Sequence, residues 1–317
     1  MFFKYKVLML STFQKTLSHE VSFTGISLHS GLKTSINLKP ANENTGIVFK
    51  RIDIDKNNLI EANFKNVVPS KLCTTLKNKF GIKVSTVEHL LAAIYVAGID
   101  NVEIEINNEE VPIMDGSAKD FLIGIGQVGT IEQSKKRKYL KISKKVDLTD
   151  ENKKISIEPK EDSSLEVDFH LDYKNRVIGK QKNVINFQFN DLKDIVESRT
   201  FCLYEDIERI KKLGLAKGGS LDNAIVVGAE KVINDGGLRN DKEFVNHKIL
   251  DLAGDLLLSG YRILGKITCH HGGHELTNKF LRKLFKSQLS FTIFQIEDIV
   301  YSKNLGSKQL SKLAVNA

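Results

Sequence analysis

EFVNHKILDLAGDLLLSG, residues 243–260, carries Leu250, Leu256, Leu257 and Leu258 at helical recurrences, lacks proline, and has glycines at Gly254 and Gly260 that read as stops. The spacing predicts a helix. On it His247 and Asp251 stand four residues apart, which puts an imidazole and a carboxylate on one face, a turn apart. That is the geometry of two metal ligands. Asp255 extends the stripe by another turn, and Lys248 lies about 100° around the helix from His247, close enough to flank whatever the stripe binds. A hydrogen-bonded surface pair produces the same spacing, so a metal centre needs support from elsewhere in the chain.

Upstream, residues 20–50 alternate apolar and polar (EVSFTGISLH, KTSINLKP) with breaks at Gly25, Gly31 and Pro40, the pattern of an antiparallel sheet. More strand-like sequence follows over residues 59–76. Ser85 then opens a helix through TVEHLLAAIYVAG that stops at Gly98, and the strand NVEIEIN follows. Pro112, Asp115 and Gly116 form a turn before a helix in SAKDFLIGIG. The charged stretch EQSKKRKYLK has no apolar periodicity, and a domain boundary is placed there, giving domains 1–134 and 135–317.

Alternation resumes over residues 139–190 as a second sheet. The irregular section from Ser198 to Gly228, with amphipathic EDIERIKKLG, Gly218, Gly219 and the apolar AIVVG, reads as an inserted βαβ-like unit. After the His247 helix come the strand ILGKITCH, the loop HHGGH and a helix over about residues 275–285. Residues 301–317 are polar and are expected to fray. In each half a histidine-bearing helix ends at glycine, leads into a strand, then a turn, then a second helix. One α+β unit used twice, packed helix to helix, would bring His89 and His247 together in a cleft.

The 317 residues, 41% hydrophobic, suffice for two ordinary globular domains. Cys73, Cys202 and Cys269 are odd in number and lack a CxxC spacing, which argues against a disulfide framework or a cysteine zinc finger and fits a reducing cytoplasm. The apolar run at the N-terminus is short and broken by Lys4 and Lys6, so no signal peptide, membrane span or stable membrane insertion is expected. The net charge of +8 is spread along the chain as lysine. It reads as solvated surface with a bias toward an anionic substrate, and nucleic acid is not an expected partner.

His89 supplies a third candidate ligand to His247 and Asp251. Two imidazoles and one carboxylate leave a tetrahedral zinc with an open position, the catalytic pattern, in which the ion acidifies water and polarises a carbonyl. Two readings of Glu88 compete: general base, or the distal half of a capping box with Ser85. His274, in a glycine loop ahead of a helix, is a candidate general acid held by Asp255, whose charge would raise the imidazole pKa. His19, His170 and His270 read as structural.

These residues carry a resemblance. FTGISLHSG, LCTT, STVEHLLAA, VPIMDGSA, SRTF, KGGSLDNAIVV, VNHKILDLAGDL and GGHELTNK, in that order over most of the chain, resemble the UDP-3-O-(3-hydroxyacyl)-N-acetylglucosamine deacetylases, zinc amidases of bacterial lipid A synthesis. The resemblance implies two α+β domains, each a mainly antiparallel sheet with small inserts, with the helices sandwiched between two outer sheets. It implies one Zn2+ on His89, His247 and Asp251, Glu88 as base, and His274 with Asp255 as acid. It further implies Thr200 polarising the amide oxygen, Lys248 contacting substrate, and Phe201, Ile207, Ala216, Gly219 and Ser220 lining a passage for the acyl chain. The implied partner is the UDP-3-O-acyl-N-acetylglucosamine substrate, the implied location is the cytoplasm, and a monomer is expected.

Cys202, Leu203 and Tyr204 depart from the family pattern after SRTF, which leaves the acyl length open. The first eight or so residues precede the match, so Met9 is an alternative start to Met1. Two rivals stand beside this reading. One is a zinc amidase acting on another sugar or nucleotide. The other is a basic nucleic-acid-binding protein with structural histidines, which would show steep salt dependence without metal.

Overall fold

A computed structural model of the chain describes residues 10–296. The choice between Met1 and Met9 and the polar tail 301–317 lie outside those residues.

In chain order the first half forms β1 (Phe13–Leu17), β2 (Val21–Ile26), β3 (Lys33–Pro40), β4 (Ile47–Arg51), β5 (Leu59–Glu61), β6 (Val67–Val68), β7 (Thr75–Lys77), β8 (Lys83–Ser85), α1 (Glu88–Ala97), β9 (Val102–Ile106), α2 (Lys119–Val128) and β10 (Thr130–Lys136). Strands β2-β3-β9-β4-β5 make one sheet, antiparallel except where β4 runs parallel to β9. A small antiparallel sheet, β6-β7-β8, is inserted ahead of α1.

The second half forms β11 (Tyr139–Ile142), β12 (Val146–Asp150), β13 (Lys153–Glu158), β14 (Leu165–Asp172), β15 (Lys180–Asn186), α3 (Lys193–Val196), β16 (Phe201–Leu203), α4 (Ile207–Lys212), β17 (Ile225–Val227), α5 (Glu243–Leu257), β18 (Arg262–His270), α6 (His274–Lys286) and β19 (Phe291–Phe294). Its seven-stranded sheet is centred on β18, which pairs antiparallel with β13 and parallel with β11 and β14.

Each sheet buries one face. β3 turns Thr34, Ile36 and Leu38 inward, and β14 turns in Leu165, Val167, Phe169 and Leu171, while their neighbours in sequence stay half-exposed or exposed. Alternation of this kind requires a second layer to cover the apolar side. The helices supply it: α2 lies against β2, α6 against β12 and β13, and α1 and α5 pack on each other in the middle. α1 is buried from Glu88 to Val96 and α5 along its whole length except Lys248, as expected of helices enclosed on all sides. Each fully buried aliphatic side chain here contributes roughly 1.5–3 kcal/mol. The α+β architecture with helices sandwiched between two sheets is therefore present.

The repeat is present too. In α1-β9-α2 and α5-β18-α6 the strand is flanked by one antiparallel and at least one parallel neighbour. The inserted unit is a true βαβ, with β16 parallel to β17 and α4 between them.

Four local expectations are corrected. Ser85 does not open a helix: it ends β8 and its hydroxyl donates to the Glu109 carbonyl, and α1 starts at Glu88 after Thr86, which has φ of 57°. The capping box is thus absent. Gly254 is no stop but sits inside α5, where a Cβ would lie 2.1 Å from the Glu88 carbonyl oxygen; periodicity cannot tell a stop from a close helix crossing. The charged stretch, despite lacking apolar periodicity, forms most of β10, which pairs antiparallel with β1 and spans residues 134 and 135. The last helix begins at His274 itself.

Candidate active site

The α1–α5 crossing at Gly254 creates the site. With no side chain there, the backbone of α5 meets Glu88 and Ala92 of α1, and this closeness sets His89 against His247 with ring centroids 4.9 Å apart. Asp251, one turn below His247, points Oδ1 to within 3.4 Å of Nε2 on both imidazoles. All three residues are buried, and one ligand atom from each lies within 4.8 Å of the others.

The charge balance favours a ligand there. Among the described residues Asp251 Oδ1 and His89 Nδ1 are buried without a hydrogen-bond partner, a costly arrangement for a structure with nothing to bind. His247 Nδ1–H donates to the Ser198 carbonyl at 3.1 Å, leaving Nε2 with its lone pair toward Asp251. Burial pushes the His247 imidazole down to about 3 despite Asp251, so it is neutral, the form that binds metal. Burial alone would raise Asp251, but His247, Lys248 and His89 outweigh it and hold the carboxyl well below its ordinary range. This His-His-Asp group could hold a metal ion.

Beside the triad lies a second cluster. Glu88 is buried and its pKa is raised, chiefly by desolvation, against the pull of His274 and His89. Its Oε2 accepts from the Thr74 amide at 3.0 Å, and its Oε1 lies 3.6 Å from His274 Nε2. His274 Nδ1–H donates to Asp255 Oδ2 at 2.7 Å, and the Thr74 hydroxyl donates to Asp255 Oδ1 at 2.7 Å. Burial opposes the charge on His274, yet Asp255 first, then Glu88 and Asp251, raise its pKa to about 10. An imidazolium therefore stands between two carboxylates at neutral pH.

The remaining expected residues fall around this centre. Lys248 donates to Asp251 Oδ2 at 2.5 Å. The Thr200 backbone is tied to Gly116 and Ile225, and among the described residues nothing bonds its hydroxyl. Phe201 lies edge-on to Phe244 at 5.0 Å and reaches His247 at 6.2 Å, joining the triad to the apolar section. Ile207 starts α4, while Ala216, Gly219 and Ser220 lie in the loop after it; Gly218 packs so closely on Ser27 that a Cβ would lie 2.3 Å from its carbonyl oxygen. His19 is exposed, and His170 lies 2.8 Å from Asp168 and stacks on His270 at 4.2 Å.

Three parts of the site went unread in sequence. Thr74 lies within LCTT but had no role assigned. The Ser198 carbonyl is backbone and leaves no side-chain signal. The third is the buried ion pair between Arg199 and Glu243, 2.8 Å, which fixes the loop carrying Ser198 and Thr200. Arginine in SRTF together with a glutamate at the first turn of α5 is the available signal for it.

Comparison with known proteins places these residues in context. A family model described as UDP-3-O-acyl N-acetylglycosamine deacetylase matches residues 14–286. A UDP-3-O-acyl-N-acetylglucosamine deacetylase from Geobacter sp. (strain M21) is 40% identical over 304 residues, covering 95% of this chain and 99% of the relative. Proteins of the same description from Hahella chejuensis and Shewanella violacea are 42% and 39% identical, each over 90% of this chain and 94% of the relative.

Proposed function

The chain belongs to the family of UDP-3-O-acyl-N-acetylglucosamine deacetylases, and from that premise we propose that it hydrolyses the 2-acetamido group of UDP-3-O-(3-hydroxyacyl)-N-acetylglucosamine, releasing acetate. On this reading it is a cytoplasmic zinc amidase acting at the committed step of lipid A synthesis. No described helix is long and apolar enough to cross a membrane.

The observation that carries the reading is the buried convergence of His89, His247 and Asp251, with one carboxylate oxygen left unpartnered. Zinc bonds of about 2.0–2.1 Å at tetrahedral angles set ligand atoms about 3.3 Å apart. The Asp251 oxygen lies 3.4 Å from both imidazole nitrogens, a spacing that fits. When bound, the ion supplies Lewis acidity toward the amide oxygen and lowers the pKa of water.

The protein's own groups do the rest. Glu88, held through Oε2 by Thr74 and raised in pKa by burial, is the base that takes a proton from the attacking water. His274 donates its Nε2 proton to the departing amine, and Asp255 keeps Nδ1 engaged so that the ring presents that nitrogen. Thr200 adds a hydroxyl toward the oxyanion. Lys248 keeps Asp251 ionised and reaches substrate from the same position, and Phe201, Ile207, Ala216, Gly219 and Ser220 line the acyl passage.

The test is acetate release by purified protein before and after chelation and zinc re-addition. Turnover that vanishes with chelator and returns with about one zinc per chain supports the reading. A folded, zinc-loaded protein with no turnover on this substrate moves it to another sugar or nucleotide amide.

A further inference from the structure

We propose that the hairpin of β7 and β8, together with the loop 52–59 beside it, is a docking surface for an anionic lipid bilayer. The hairpin stands on the active site: Thr75 pairs with Ser85 at its base, and Thr74 and Glu88 lie just beyond that pair. Its tip is KNKFGIK, residues 77–83. Gly81, at φ of 88°, makes the turn, and Asn78 Oδ1 accepts from the amides of Phe80 and Ile82. That turn holds the Phe80 ring in solvent, 55% exposed.

Two more apolar side chains share the surface. Asn78 Nδ2 donates to the carbonyls of Asn57 and Leu59, and Arg51 donates to the Lys83 carbonyl, so the 52–59 loop is fastened to the hairpin. Its Ile52 and Leu59 are 51% and 53% exposed. Around these three stand Lys56, Lys77, Lys79 and Lys83, all exposed, and among the described residues none has a carboxylate partner. Lys79 sits 5.0 Å from the Phe80 ring centroid. Asp53 is already bound by Arg51, which leaves Asp55, Glu61 and, at the foot of the hairpin, Glu109 against the four lysines.

A few protruding apolar groups ringed by unpaired lysines suit an interface where headgroups are anionic and acyl chains lie just beneath. A flat protein partner would call for a broader apolar core than three separated side chains provide. The advantage of docking rests on the proposed substrate, whose acyl chain favours the same surface; the docking chemistry does not.

The chain has no tryptophan, so Phe80→Trp puts a lone fluorophore on the hairpin tip. Full-length protein is mixed with vesicles of phosphatidylglycerol and phosphatidylcholine, or of phosphatidylcholine alone. The expected result is a blue-shifted emission and co-sedimentation with the anionic vesicles only, reversed by high salt. K77E/K79E should weaken partitioning on the order of 100-fold or more, with thermal unfolding and acetate release from dispersed substrate unchanged. No shift with anionic vesicles, equal binding by K77E/K79E, or a shift induced by polyglutamate but not by vesicles overturns the proposal. Vesicle binding is read without substrate, so docking protein that releases no acetate would sink the proposed activity and spare the docking. Active protein that stays off vesicles would do the reverse.

Discussion

Where α5 faces α1, His89, His247 and Asp251 converge while, among the described residues, a carboxylate oxygen and a ring nitrogen go without hydrogen-bond partners; a turn further on, Thr74 donates to Glu88 and Asp255, and His274 donates to Asp255 and lies 3.6 Å from Glu88. Both clusters draw on α1 and α5, the second adding Thr74 ahead of β7 and His274 from α6, and all but the half-buried His274 are buried, so burial barely distinguishes them. What differs is satisfaction. A buried ionised carboxylate with an idle oxygen is costly to leave without a partner, whereas in the second cluster Thr74 already donates to Glu88 and Asp255 and His274 to Asp255. The first cluster could therefore hold a cation, and on the proposed function the second is the acid–base pair, in place before any ligand arrives.

That contrast breaks most visibly under paired substitutions. His247→Ala should lose metal and turnover together, with metal content falling from about one per chain to a small fraction. Glu88→Ala should keep its metal and still lose about 10²–10⁴-fold in kcat. Metal analysis beside steady-state kinetics checks both. A Glu88 variant that loses its metal would merge the two clusters into one, and a fully active one would remove Glu88 as the base.

A smaller effect separates the clusters by pH. In metal-free protein, NMR titration of His274 should give a pKa near 10, against 6.5 for an ordinary imidazole, while His247 should stay neutral down to about 3. Since the folded-state value of His274 is the higher one, its charge stabilises the fold fully below about pH 6.5 and that contribution fades as pH rises toward 10. A general acid works when protonated, so kcat should fall on the alkaline side, and a cation on the triad should shift that limb to lower pH by repulsion. Asp255→Asn removes the largest charge holding the proton. It should shift the limb lower still and reduce kcat by about 10–100-fold. An unchanged alkaline limb in that variant would take Asp255 out of the acid's support.

How much of this was legible in sequence follows the same division. Residues four apart on a helix share a face whatever the tertiary context, so His247, Asp251 and Asp255 could be placed together from spacing alone. His89 needed the internal repeat, a weaker signal, to be set opposite them. The depth of the crossing could not be read, because Gly254 looks the same as a helix stop until Glu88 is seen lying against it. Glu88 was ambiguous for a related reason: STVE fits a capping box, and only the left-handed Thr86 ahead of α1 excludes that geometry. The charged run before Lys141 misled because edge strands carry lysine and glutamate on exposed faces, where apolar alternation fades.

Thr74 is the residue that spacing had no means to find, since its two partners lie 14 and 181 positions away. It touches both halves of the acid–base cluster, its amide on Glu88 and its hydroxyl on Asp255. Thr74→Val keeps the amide and the shape but removes the hydroxyl, leaving Asp255 Oδ1 buried with one donor fewer, an arrangement that costs about 1–3 kcal/mol. Asp255 can recover part of that by turning, which would draw His274 out of line. The expected outcome is a kcat loss of roughly 10-fold with KM and metal content unchanged, restored by Thr74→Ser. A loss of metal in Thr74→Val would mean that the satisfied cluster also shapes the triad. Unchanged kcat would mean that Asp255 holds His274 without help from the Thr74 hydroxyl.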